Sequence, residues 1–174
     1  AVNLSASLAA AGKKTLLIDA DSQGNATSDA ATLTVRPNYT VTFDAQGGNP
    51  TPAAETVTSG DLVTEPAAPT RTGYTFGGWF TDNITYTTQW NFATDVVRSD
   101  ITLYAQWIAL TYTVSFDSQG GSSVAPQTVA YNDLVTEPAD PTRTGYTFGG
   151  WYTSTGYTTQ WDFVTDTVTA DITL

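Results

Sequence analysis

The chain has 174 residues, a formal net charge of −11 and six Lys and Arg in all. Nucleic acid and anionic membrane surfaces need clustered cations, so neither is expected as a partner, and no apolar run approaches the ~20 residues of a membrane helix. Cys, Met and His are absent, which removes disulfides, catalytic thiols, imidazole bases and thiolate zinc sites; no cofactor and no metal is expected.

Residues 1–34 stand apart from the rest. AVNLSASLAAAG reads as a helix closed by Gly12, a residue suited to the left-handed position after a helix. Thr15 to Asp19 (TLLID) is an apolar run typical of a buried parallel strand. The start lacks a basic leader and a strongly apolar centre, so it is not read as a signal peptide. The stretch AVNLSASLAAAGKKTLLIDADSQGNATS resembles ParA-type partition ATPases with a deviant Walker motif. The resemblance implies that Asp19, Asp21, Gln23, Gly24 and Asn25 stand where that family carries its D-x-D-P-Q-G-N signature, with Ser22 in place of Pro. The family's Gly-rich phosphate loop precedes the helix and is not in this sequence. One helix and one strand without it make neither a phosphate cradle nor a doubly wound sheet. The segment is therefore expected to be a helix–strand fragment and not an independent domain.

The remainder repeats itself. YTVTFDAQGG at 39–48 returns as YTVSFDSQGG at 112–121, and TRTGYTFGGW at 70–79 returns letter for letter at 142–151. YTTQWNFATDVVRSDITL at 86–103 returns as YTTQWDFVTDTVTADITL at 157–174. The second copy is shorter by one residue between Gly121 and Leu134 and by another between Trp151 and Trp161. Single-residue changes disrupt strand register and are tolerated in loops, so both intervals are expected to contain loops.

Each unit reads as mostly strand. Tyr39, Val41 and Phe43 alternate with Thr40, Thr42 and Asp44, the period of a half-buried strand. Gln46-Gly47-Gly48 marks a turn. Tyr74 and Phe76 belong to a second strand, with a bend or bulge at Gly77-Gly78. WNFATDVV is the best candidate for a short helix or helical turn, and ITLYAQW closes the unit with Ile101, Leu103, Ala105 and Trp107 on one face. The expected boundaries are 35–107 and 108–174, joined by a very short linker at Ile108–Thr111 that restricts their relative orientation. The second unit has no counterpart of Tyr104-Ala105-Gln106-Trp107. An open sheet edge and an unfilled place in its core are expected there.

YTVTFDAQGG, LVTEPAAPTRTGYTFGGWFT, WNFATD and DITLYAQW resemble the Listeria–Bacteroides repeat, the B-repeat module of internalin-type bacterial surface proteins. The resemblance implies a mainly β (α+β) fold of tandem small β-grasp-like modules. It also implies an extracellular or cell-surface location, and non-catalytic work in adhesion, spacing or self-association. Partners would be a protein or glycan on a surface, or other copies of the chain, with a homo-oligomer or filament as one outcome.

A module of this size without disulfides needs large aromatics to make a core. Tyr74, Phe76, Trp79, Trp90 and Phe92 are read as that core, with Tyr146, Phe148, Trp151, Trp161 and Phe163 as counterparts; a sugar-binding platform is the competing reading. Tyr86 and Tyr157, in the YTTQW loops, are the aromatics expected to stay exposed for interaction. Arg71 and Arg143 could contact an anion; an ion pair with Glu65 and Glu137, or stacking on an aromatic ring, is favoured. The recurring aspartates form no D-x-D-x-D-G loop, so a solvated acidic surface is expected over a calcium site. Residues 39–174 contain no Lys, which excludes Lys-based isopeptide cross-links there. Nucleotide binding by 1–34 and carbohydrate binding by the repeats remain as alternative functions.

Overall fold

The computed structural model describes residues 35–174. The helix and strand expected within 1–34 lie outside the described residues. The first module contains β1 (Asn38–Asp44), β2 (Glu55–Thr58), β3 (Tyr74–Phe80) and β4 (Ile101–Ala109) in one sheet of order β2-β1-β4-β3. The second contains β5 (Thr111–Ser115), β6 (Gln127–Ala130) and β7 (Ile172–Thr173) in a sheet of order β6-β5-β7. The pairing repeats. β2 and β6 pair antiparallel with β1 and β5, and β4 and β7 pair parallel with them. Both modules share this parallel pair, and no helix occurs among the described residues, so the architecture is mainly β.

The strands form where β-branched and aromatic residues alternate with Thr. In β1, Val41 and Phe43 point inward and are buried, while Thr40 and Thr42 are exposed. The first core joins them to Val57, Val63, Trp79, Val97, Leu103 and Ala105. The second joins Val114, Val129, Val135, Trp151, Trp161, Val168 and Leu174. Each fully buried Val or Leu contributes about 1.5–3 kcal/mol relative to exposure, so these scattered valines matter as much as the rings.

The WNFATD stretch makes one helical turn and stops. The Asp95 N–H donates to Asn91 O at 2.8 Å, and the Asn91 N–H donates back to the Asp95 carboxylate at 2.8 Å. Asp162 and Asp166 repeat the arrangement. A single turn fixes several dihedrals for few bonds, so it needs these reciprocal caps and does not propagate.

Both length differences fall in loops. One lies between Gly48 and β2, against Gly121 and β6. The other lies in the loop closed by the Thr81 N–H on Thr88 O at 3.1 Å, against the Thr153 N–H on Thr159 O at 3.0 Å.

Candidate functional site

The two modules differ most at the outer edge of the sheet. In the first, β3 pairs antiparallel with β4, placing Phe80 opposite Tyr104, Trp79 opposite Ala105, Gly78 opposite Gln106 and Phe76 opposite Trp107. The register slips between Phe76 and Gly78, a bulge that Gly78 permits by adopting a φ of 117°. The Trp107 ring packs on Phe76 at 5.6 Å and lies against Gly48, and its indole N–H donates to Ala45 O at 2.9 Å.

In the second module, Ile172 and Thr173 pair with Val114 and Ser115, and Leu174 follows. Residues 145–150, identical to 73–78, form no strand. Beside them lies a cleft of about 480 Å³, lined by Gly121, Arg143, Tyr146, Phe148, Trp151 and Leu174 among others. Its floor is the second module's aromatic core. Trp151 packs edge-on against Phe116 at 4.9 Å and against Phe148 at 5.2 Å, matching Trp79 against Phe43 at 5.0 Å and Phe76 at 5.5 Å. Gly121 and Gly149, which correspond to Gly48 and Gly77, have no aromatic or glutamine side chain against them.

The aromatics expected as core divide into two groups. Trp79, Trp151 and Trp161 are buried at 2%, 4% and 8% exposure, and Phe76, Trp90, Phe92, Phe148 and Phe163 pack against the core partly buried. Tyr74 and Tyr146 do not belong to it; each lies beneath an arginine. Arg71 stacks on Tyr74 at 4.2 Å and Arg143 on Tyr146 at 4.1 Å. Each guanidinium also donates to a turn carbonyl, Arg71 to Gln46 O at 3.2 Å and Arg143 to Gln119 O at 2.8 Å. The one ion pair among the described residues is Arg36–Asp61 at 2.7 Å, so neither arginine pairs with Glu65 or Glu137. Tyr157 is 58% exposed and rests edge-on against Tyr152, whereas Tyr86 is half-buried against Phe80.

The recurring aspartates hold backbone turns and edges. Asp100 and Asp171 accept from the Thr40 and Thr113 N–H groups, each at 2.7 Å. Asp44 and Asp117 accept from the Gln46 and Gln119 N–H groups, each at 2.9 Å. Asp82 gathers the N–H groups of Ile84, Thr85 and Tyr86 and the Thr85 hydroxyl on one carboxylate oxygen. These donors, led by the Thr85 N–H, hold its carboxyl far below the usual carboxylate range. Asp162 is also lowered, first by the Val164 N–H. Among the described residues, no group of three or more acidic side chains converges as a metal site would require.

The residues sequence reasoning missed are Val57, Val63 and Val97, which lie between recognisable elements. Their one signal is recurrence at Val129, Val135 and Val168. Phe80, also buried, was missed as well.

The Listeria-Bacteroides repeat domain matches residues 39–106 and again 112–174. An AAA domain matches residues 1–63, overlapping the part of the first repeat that holds β1 and β2. The chain is 44% identical over 139 residues to Internalin H of Listeria monocytogenes, a match covering 79% of this chain and 24% of that protein. It is 40% identical over 136 residues to a protein of Evansella cellulosilytica named as a candidate membrane protein, covering 78% of this chain and 20% of the relative. The chain thus spans a quarter or less of the length of these relatives. The repeat is a structural and adhesive module of bacterial surface proteins, not a catalytic one. With two matched copies over most of its length, the chain belongs to the Listeria-Bacteroides repeat family.

Proposed function

We propose that the chain is an extracellular spacing and self-associating segment of a bacterial surface protein, built from repeat modules in tandem. The observation that carries this reading is the repetition of one small β module: both copies keep the same parallel strand pair and the same edge-on packing of a Trp on a Phe.

Light scattering across a dilution series tests it. Mass that rises with concentration is the expected result. A monomer at every concentration contradicts self-association.

Glycan binding on a repeated aromatic strip is disfavoured, since Trp79, Trp151 and Trp161 are buried and Tyr146 is exposed where Tyr74 is not. The match of residues 1–63 to an AAA domain favours one second reading, nucleotide binding dependent on Asp19 and Asp21. Labelled ATP that is not retained by the chain, or is retained equally by a D19A/D21A variant, removes it.

A further inference from the structure

Tyr131 belongs to the second module but lies on the first. It sits directly over the bare face of Gly73, where a Cβ would overlap the ring. It meets the Tyr74 ring edge-on at 5.7 Å and the Tyr112 ring of its own module at 6.5 Å. Backbone bonds tie the same spot. Leu110, the one residue between β4 and β5, donates its N–H to Gly73 O at 2.9 Å, and its carbonyl accepts from the Tyr131 N–H at 2.8 Å. Tyr131 is not among the residues of the second core.

The repeat supplies two internal controls. The residue corresponding to Tyr131 in the first module is Ser59, whose N–H donates to Pro37 O at 2.7 Å as that of Tyr131 does to Leu110 O. The turn is therefore the same, and only the side chain differs. The residue corresponding to Gly73 is Gly145, with a φ of 81° against 79°, and no atom lies within 4 Å of its Cβ position. The glycine keeps its backbone conformation in both copies; what changes is whether a tyrosine lies on it.

We propose that Gly73 and Tyr74 form a docking surface for the following repeat module, recognised by an aromatic at the position of Tyr131, and that this contact makes the two modules one rigid body. Aromatic edge-to-face packing and a covalent tether of one residue act together here. Ring burial adds to bonds that alone would leave a hinge. Ser59, at the same position of the first module, has no ring that could lie on a glycine in this way.

Residual dipolar couplings measured on the full chain test this. A single alignment tensor describes both modules of the unaltered chain. Tyr131→Ser, which installs the first module's residue, requires two tensors while each module keeps its own internal couplings. Gly73→Ala and Gly145→Ala carry the same backbone strain, but only Gly73→Ala separates the tensors. Two tensors in the unaltered chain, one tensor in Tyr131→Ser, or identical behaviour of the two alanine variants would each overturn the proposal.

Discussion

The ten residues TRTGYTFGGW occur twice in one chain and do not have the same structure twice. In the first module their second half lies in β3; in the second, residues 145–150 form no strand although every letter is the same. The tryptophan is indifferent to the change. It is buried in both copies and meets the same two phenylalanines at nearly the same distances. Core packing is thus encoded within the module, because the Trp ring gains its area from local neighbours. Strand formation at 74–80 is not, because its hydrogen bonds need β4 alongside.

The largest effect expected from this comparison is at the cores. Trp79→Ala should cost about 3–5 kcal/mol, in the range of large aromatic truncations, and unfold the first module. Trp151→Ala should cost a similar amount in the second module, since its ring is 4% exposed and meets the same two phenylalanine positions; chemical denaturation monitored separately for each module checks both. Trp107→Ala should turn the first module into a likeness of the second. It removes the packing on Phe76 and the bond to Ala45 O at a cost of roughly 2–4 kcal/mol, and residues 74–76 should lose strand character by NMR.

Acid should separate the modules next. Asp82 has no aspartate counterpart in the shorter loop of the second module, and Asp162 corresponds to Asn91, which does not titrate. Both carboxyls are lowered in the folded chain, so their contribution is fully present above the unfolded carboxylate value of about 3.9 and is lost as pH falls below it. Amide shifts of Thr85 and Tyr86 should move on acidification, while those at 153–159 should not. At the helical turns, those of 162–166 should move more than those of 91–95. The smallest effect is expected from Asn132→Gly. Asn132 has a φ of 67° where the first module has Gly60 at 87°, so exchange should alter stability by under about 1 kcal/mol in thermal unfolding.

Alternation made β1, β3 and β4 readable as strands, though not which of them pair, and the repeat offsets placed the loops. The helical turn was half-readable. Its caps are visible as Asn91 and Asp95, but nothing in WNFATD shows that it stops after one turn. Tyr74 and Tyr146 read as core because hydrophobicity alone does not reveal that an arginine three residues earlier stacks on the ring. The short linker at the joint was readable, but the contact across it was not, since Gly73 and Tyr131 meet only once both folds exist.

Hydrogen exchange of the amides at 74–80 and 146–152, read in the same sample, tests the central claim most directly. The account predicts strong protection in the first set and weak protection in the second. Equal protection of the two sets would contradict it.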